Sequence, residues 1–253
     1  MPPPTRTVRR LDVTLVENGL APSRERAQAL VAAGMVRVAG QPATGAAQRV
    51  TDAAHVTVVG RDHPWASRGG LKLAAALDGF DVDPQGRTCL DSGASTGGFT
   101  DVLLSRGAVR VYAVDVGYGQ LDHRLATDPR VVVLDRTNLR TLAALPGDPP
   151  DLVTLDLSFI SLRLVLGAVV RLAAAGADVV ALVKPQFEVG REHVGRGGIV
   201  RDLAVGEAAA VDLMRWAGTE LGATSEGPLA SPITGGKGNH EWLVRLRLPR
   251  YTA

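Results

Sequence analysis

The segment Asp91-Ser-Gly-Ala-Ser-Thr-Gly-Gly-Phe99 decides the fold of most of this 253-residue chain. It follows the apolar run Thr88–Leu90 and leads into Thr100–Leu104, which has the composition of the first turns of a helix. A strand, a glycine-rich turn and a helix N-terminus together bring backbone N–H groups close to a bound ligand. Asp115 ends the next apolar run, where an acid suits the ribose hydroxyls of a nucleoside cofactor.

Beyond this turn, apolar runs rich in Val and Leu alternate with helical stretches. The runs are 109–114, 131–134, 152–155 and 179–183, and the helical stretches lie near 100–106, 120–126, 161–175 and 202–218. Near-continuous apolar strands between helices predict a parallel sheet that is covered on both faces. No helical pattern separates 222–234 from 240–248, which predicts an antiparallel pair at the end. We therefore expect an α/β fold.

Residues 1–60 have the character of a separate, basic module. They carry seven Arg against four acids, whereas residues 61–253 carry 21 basic and 22 acidic residues. Helices are predicted over Val8–Asn18 and Arg24–Ala33, and strands over Met35–Val38 and Val56–Val59. Two short helices beside a small hairpin sheet bury little core, so we expect this module to present its arginines to a polyanion. An ordinary solvated surface is the alternative.

Composition and the position of a proline predict the remaining domain boundaries. Residues 1–6 are predicted to be a disordered tip, and 61–66 a linker that Pro64 keeps from becoming helical, ahead of a domain over 67–253. The single cysteine, Cys89, excludes a disulfide framework, and the scattered histidines give no metal-ligand spacing, so we expect no metal. With no signal peptide and no apolar run near the roughly 20 residues that a membrane span needs, we expect a cytoplasmic protein without a membrane partner.

The turn at 91–99 allows two chemical interpretations. Gly93-Ala-Ser95-Thr-Gly97 satisfies the nucleophile-elbow pattern of α/β-hydrolases, with Ser95 as the nucleophile. From Asp91, the same residues give acid-x-Gly-x-x-x-Gly, which resembles the cofactor loop of S-adenosylmethionine-dependent methyltransferases. A hydrolase elbow follows several sheet strands and needs an oxyanion-hole loop from an earlier one. Only one helix and the basic module precede this turn, which favours the cofactor loop.

Charged residues at the ends of the later strands supply a second signal. Of the 28 basic residues only three are lysines, and two of these, Lys72 and Lys184, lie on the helix before the first strand and at the end of the fifth strand. A lysine can lose its proton when it is crowded or desolvated, whereas an arginine effectively cannot. Asp156 ends the fourth strand and Glu241 begins the last one. A carboxylate at the end of a buried strand needs a partner.

These motifs together resemble a known family. Lys, Asp, Lys and Glu in this order resemble the tetrad of FtsJ-type ribose 2′-O-methyltransferases. The pattern of residues 8–60 resembles the αL RNA-binding domain, although the basic residue usual after its hairpin turn is absent at Ala43-Thr44-Gly45. The whole of residues 8–248 is similar to the TlyA, or hemolysin A, family, which methylates ribosomal RNA on cytidine 2′-hydroxyls. The resemblance implies a Rossmann-like domain with a mostly parallel seven-stranded sheet, preceded by a small α+β module.

The resemblance also implies site residues, a cofactor and a partner. S-adenosylmethionine would be held by Asp91, Gly93, Ser95, Thr96, Gly97, Gly98, Phe99, Asp115 and Asp135. The target hydroxyl would be bound and activated by Lys72, Asp156, Lys184 and Glu241. Ribosomal RNA or a ribosomal subunit would contact Arg9, Arg10, Arg24, Arg26, Arg37 and Arg68.

The chemistry of these residue types agrees with ribose methylation. A 2′-hydroxyl is a poor nucleophile, so the enzyme must align it with the methyl donor and help to remove one proton. We hypothesise that Lys184 accepts or relays this proton. A membrane-lysing protein, suggested by the family name, and a catalytically silent RNA-binding protein are the alternatives. The glycine- and arginine-containing stretch 189–199 is either a mobile basic lid over RNA or a solvated connection.

Overall fold

The chain forms two compact units, Met1–Pro64 and Trp65–Ala253. The structure, a computed structural model, describes residues 8–21, 23–32, 34–51, 54–58 and 63–250. The predicted disordered tip at 1–6 lies outside the described residues, as do parts of the predicted linker at 61–66 and the predicted element ends at Ala33 and Val59.

The N-terminal unit packs two helices and short strands around a small apolar core. Its elements are β1 (Val8–Arg10), α1 (Leu11–Glu17), α2 (Arg24–Ala32), β2 (Val36–Val38), β3 (Gln41–Pro42), β4 (Arg49–Thr51) and β5 (Val56–Val58). β2 pairs antiparallel with both β3 and β5. The core is formed by residues such as Leu11, Leu15, Leu30 and Val56.

The first predicted helix is three residues shorter than expected at its start. Val8–Arg10 is a strand that pairs antiparallel with β4, and Arg10 has extended dihedral angles (φ −73°, ψ 143°) where the helix begins. The apolar spacing of Leu11, Leu15 and Val16 fits the helix proper, but it holds no information about a partner strand about 40 residues away.

The larger unit is built on a seven-stranded sheet. Its elements are α3 (Gly69–Gly79), β6 (Thr88–Ser92), α4 (Gly98–Ser105), β7 (Arg110–Val114), α5 (His123–Ala126), β8 (Val131–Leu134), β9 (Leu152–Leu155), α6 (Arg163–Leu172), β10 (Asp178–Val183), α7 (Leu203–Leu221), β11 (Thr224–Ala230) and β12 (Trp242–Arg247). The strand order is β11-β12-β10-β9-β6-β7-β8. Strands β6 to β10 are parallel to one another, whereas β12 is antiparallel to both β10 and β11. The predicted α/β class, the mostly parallel seven-stranded sheet and the antiparallel pair at the end are confirmed.

Both faces of the sheet are covered, because successive residues of a buried strand point to opposite sides. In β10, Val179, Ala181 and Val183 pack with α6 and α7, whereas Val180 and Leu182 pack with α3 and α4. Between β6 and β9 the strand order reverses direction. In open parallel sheets such a switch point leaves a crevice at the carboxyl ends of the strands.

A substitution at Gly167 tests whether this side of α6 is open to solvent. A Cβ added there would meet no atom within 4 Å, and alanine is favoured over glycine in a helix interior by about 1 kcal/mol. Gly167→Ala should therefore raise the free energy of unfolding of the larger unit by about 0.5–1 kcal/mol, measured by urea denaturation at an unchanged slope. A lowered midpoint would mean that this helix position is not open to solvent.

Candidate active site

The glycine-rich turn lies directly beside the end of β9. Gly93 has a left-handed φ of +84°, and a Cβ added to it would come within 2.5 Å of the carbonyl oxygen of Asp156. The Asp156 N–H donates to the carbonyl of Ser92 at 3.0 Å, which fixes the two strand ends together. Only glycine meets both the backbone conformation and the space at this position.

Glycines also bring the start of α4 close to its neighbours. Gly97, at φ +94°, precedes the helix, and a Cβ at Gly98 would lie 2.3 Å from Ser67 Oγ and 2.9 Å from the backbone nitrogen of Gly70. Ser95, a non-glycine residue, is held at φ +48°. The N–H of Ser95 donates to Asp115 Oδ2 at 2.8 Å, so the acid that ends β7 holds the turn in this shape.

Asp115 borders a cavity of about 500 Å³, here called the Asp115 cavity. Its Oδ1 accepts a second backbone hydrogen bond, from Gly117 N at 2.7 Å. Each carboxylate oxygen retains a further lone pair for a hydroxyl donor. Apolar side chains, among them Val116, Leu139 and Ile160, supply other parts of the wall. An acid that can accept from hydroxyls, beside an apolar wall that can cover a flat ring, fits the nucleoside part of S-adenosylmethionine.

Two predicted cofactor residues take other positions. Asp91 is fully buried, and its oxygens accept hydrogen bonds from Thr100 Oγ1 at 2.7 Å and Thr154 Oγ1 at 3.2 Å. Asp135 Oδ2 accepts from Gly119 N at 2.8 Å. Neither residue borders the Asp115 cavity, and their contacts to the cofactor stay predictions.

The remaining predicted loop residues, except Gly97, line a smaller cavity next to the first. This loop cavity has a volume of about 290 Å³. Its lining includes Gly93, Ser95, Thr96, Gly98 and Phe99. Arg68, predicted to contact RNA, is exposed on its wall and belongs to the larger unit.

The four predicted tetrad residues line a third cavity, of about 450 Å³, here called the tetrad cavity. They form two ion pairs: Lys72 Nζ lies 2.5 Å from Glu241 Oε2, and Lys184 Nζ lies 2.6 Å from Asp156 Oδ1. The second pair lacks the alignment of a good hydrogen bond, and Lys184 Nζ also donates to Ser158 Oγ at 2.8 Å. Asp156 borders all three cavities, which makes it the shared wall.

Some residues in or beside these cavities were not among the predicted site residues. Glu188 accepts from Ser161 Oγ at 2.7 Å and from the backbone N–H of Leu162 at 2.8 Å, and burial raises its pKa. It thereby ties the segment after Lys184 to the start of α6. Phe159 is 85% exposed, has φ +66°, and its ring centroid lies 5.4 Å from that of Phe187. A non-glycine φ above zero directly after Ser158 is a signal that only the backbone reveals.

Most arginines of the N-terminal unit that were predicted to bind RNA already have acidic partners. Arg10 and Arg24 pair with the fully buried Asp12 at 2.9 and 3.2 Å, and Arg9 pairs with Glu17. The hydrogen bond from Arg10 holds the pKa of Asp12 well below its ordinary value. Arg26 and Arg37 are both half-buried.

Each of the two units matches a known protein family. Residues 65–248 match the family of FtsJ-like methyltransferases, and residues 9–56 match the S4 domain. The 16S/23S rRNA (cytidine-2′-O)-methyltransferase TlyA of Mycobacterium tuberculosis is 52% identical over 240 residues, which cover 94% of this chain and 89% of that protein. The chain belongs to the TlyA family of FtsJ-like methyltransferases. The predicted family, its dependence on S-adenosylmethionine and the N-terminal RNA-binding domain are thus confirmed.

Two further relatives carry a different name. Hemolysin A of Brachyspira hyodysenteriae is 36% identical over 93% of this chain and 98% of its own length. A solved structure of a candidate hemolysin from Streptococcus thermophilus superposes with a TM-score of 0.75 at 39% identity, covering 97% of this chain and 90% of that one. None of the helices in the described part of the chain has the length and hydropathy required to cross a bilayer.

The buried Asp91 should make stability depend on pH. Burial raises the pKa of its carboxyl from 3.8 to about 7, so between these values the folded protein binds a proton that the unfolded chain has lost. The resulting stabilisation is present below about pH 4 and disappears as the pH rises through about 7. Asp91→Asn should flatten the stability profile over this interval, measured by urea denaturation from pH 4 to 8. A profile that keeps its wild-type slope would assign the pH dependence to another group.

Gly93 offers a direct test of the turn. In Gly93→Ala the added methyl group must push the turn away from Asp156, and displacements of about 1 Å in such sites can cost about 100-fold in activity. We expect the affinity for S-adenosylmethionine, measured by calorimetric titration, to fall about tenfold or more. Gly167→Ala, which adds the same methyl group in open space, should bind like the wild type. Equal affinities in all three proteins would contradict the tight geometry of the turn.

Proposed function

We propose that this protein transfers a methyl group from S-adenosylmethionine to the 2′-hydroxyl of cytidines in ribosomal RNA. The observation that carries the proposal is the pair of lysine–carboxylate contacts in one cavity, whose wall residue Asp156 also borders the Asp115 cavity. The names of the relatives and the match to an S4 domain support this substrate class. In this proposal the N-terminal unit selects the RNA and the larger unit carries out the reaction.

The residues of the two cavities divide the work. Asp115 and the glycine-rich turn hold the cofactor, which when bound supplies an electrophilic methyl group on a sulfonium. As a neutral amine, Lys184 keeps two N–H donors, which Asp156 and Ser158 can engage. Its lone pair is then available for the proton of a ribose 2′-hydroxyl in the tetrad cavity. Lys72 and Glu241, at 8% and 4% exposure, form the opposite pair.

Proton removal then falls to the Lys184–Asp156 pair. A neutral Lys184 amine would accept the proton of the 2′-hydroxyl and become an ammonium beside Asp156, while the oxygen would take the methyl carbon from the sulfonium sulfur, whose carbon–sulfur bond breaks to leave a neutral thioether. General base catalysis of this kind contributes about 10²–10⁴-fold to a rate. Asp156 keeps the amine oriented.

An exposed aromatic pair suits the base of the target nucleotide. Phe159 stands at the border of the Asp115 and tetrad cavities, and Phe187 lines the tetrad cavity beside it. RNA-modifying and RNA-binding proteins hold unstacked bases against aromatic rings, and each such contact is worth about 1–3 kcal/mol. An 85% exposed ring in a strained backbone conformation is therefore consistent with a stacking partner for the target base.

The decisive experiment is transfer of labelled methyl groups from S-adenosylmethionine to separated, unmodified ribosomal subunits. We expect label in an alkali-resistant dinucleotide, because a methylated 2′-oxygen cannot attack the neighbouring phosphate. Label only in alkali-sensitive products would place the methyl group on a base and contradict the proposal. Absence of label, with cofactor binding intact, would also contradict it.

Lys184→Arg separates charge from proton acceptance. Arginine keeps the positive charge next to Asp156 but cannot deprotonate, so kcat should fall by about 100-fold or more while cofactor affinity stays near the wild-type value. Single-turnover methylation of the labelled subunit substrate measures the effect. Arg215→Ala, which removes an exposed side chain paired with Asp212 on α7, is the control and should methylate normally. Full activity in Lys184→Arg would refute the proton-accepting role.

A further inference from the structure

The stretch 189–199, predicted to be a lid or a solvated connection, contains a short hairpin. Gly195 and Ile199 form an isolated antiparallel bridge, and the N–H of Gly195 donates to the carbonyl of Ile199 at 2.9 Å. Arg196 is exposed at the turn, and Val194 and Gly198 line the tetrad cavity. This hairpin, residues 195–199, is thus part of the cavity wall and carries a positive charge on its outer side.

One buried side chain fastens the hairpin. Asn239 is 2% exposed; its Nδ2 donates to the carbonyl of Gly198 at 2.8 Å and its Oδ1 accepts from the N–H of Val200 at 2.9 Å. The amide of asparagine holds a donor nitrogen and an acceptor oxygen in fixed relation. The two bonds engage both atoms, one with Gly198 of the hairpin and one with Val200 directly after it.

The same side chain lies two residues from the tetrad. Asn239 and Glu241 are buried and His240 between them is exposed, so the two side chains point to the same side of an extended segment. The carbonyl of Asn239 accepts from Gly235 N at 2.8 Å, and a Cβ at Gly235 would lie 2.4 Å from Glu241 Oε1. Any shift of Asn239 would therefore be transmitted over one residue to the carboxylate that pairs with Lys72.

We propose that Asn239 is a positioning residue for RNA methylation, which locks the arginine-bearing hairpin 195–199 against the chain segment that carries Glu241. The hairpin then stands as a fixed wall of the tetrad cavity. Arg196 on its outer side can meet a phosphate of the RNA whose ribose enters the cavity. The inference rests on the proposed function for its substrate, but the lock itself is a property of the folded protein.

The lock can be tested without any methylation. Asn239→Ala removes both bonds, so the hairpin should open and trypsin should cleave after Arg196 at least about tenfold faster than in the wild type, followed by mass spectrometry. Asn239→Asp keeps the acceptor for Val200 but loses the donor to Gly198, and should give an intermediate rate. Ser105→Ala removes a side-chain-to-backbone bond on α4, to the carbonyl of Val102, and serves as the matched control.

Separate measurements of catalysis and of cofactor binding distinguish a positioning role of Asn239 from a general loss of structure. With intact subunits as substrate, Asn239→Ala should lower kcat about 10- to 100-fold and raise KM for RNA, while the affinity for S-adenosylmethionine changes less than about twofold because the Asp115 cavity contains none of these residues. Asn239→Asp should recover part of the loss.

The outcomes distinguish the two proposals. An unchanged cleavage rate after Arg196 in Asn239→Ala overturns the lock, whether or not the wild type methylates RNA. Faster cleavage together with an equal loss of cofactor binding also overturns it, because the residue would then only support the fold. If the wild type fails to methylate, the proposed function falls, and the cleavage and cofactor-binding measurements still decide the lock.

Discussion

The site depends on the approach of Gly93 to the carbonyl oxygen of Asp156, where a single methyl group would not fit. The two residues follow neighbouring parallel strands, β6 and β9, at the point where the strand order reverses. Because the turn is so close, the Asp156 side chain borders the cofactor side and the substrate side of the crevice at once. A transfer between two bound molecules requires such a shared wall, since their reacting atoms must come within about 3–3.5 Å.

The two lysine–carboxylate pairs lie at the same edge of the sheet, where β9 and β10 end and β12 begins. One joins α3 to the start of β12 and the other joins the ends of β10 and β9. Burying a charged pair is rarely more stabilising than burying apolar residues of equal volume. The buried Lys72–Glu241 pair, in one cavity with the partly buried Lys184–Asp156 pair, is therefore poorly explained by stability alone. Their chemistry explains them better, because a lysine held by a carboxylate presents its remaining donors in a fixed direction.

Sequence was sufficient where the signal is local or where the chemistry is rare. Apolar runs gave the parallel strands, and the scarcity of lysine drew attention to Lys72 and Lys184. The sequence was insufficient where a side chain has several possible hydrogen-bond partners. Asp91 and Asp135 were both predicted to contact the cofactor. In the structure the fully buried carboxylate of Asp91 accepts from Thr100 Oγ1, and that of the partly buried Asp135 accepts from the N–H of Gly119. The strand at Val8–Arg10 depends on a partner that no local pattern identifies.

The arginines of the S4 unit are held by acidic partners, which bears on how a unit of modest net charge can recognise RNA. Arg10 donates to both oxygens of Asp12 through Nε and Nη2, and Arg24 donates to the same carboxylate. Such pairing lowers the unit's long-range attraction for any polyanion. It also fixes each guanidinium, whose remaining N–H groups can still bind a phosphate without first losing rotational freedom. Phosphate contacts from fixed positions determine how a nucleic acid is oriented rather than how strongly every nucleic acid binds, which suits an enzyme that must place one ribose among thousands.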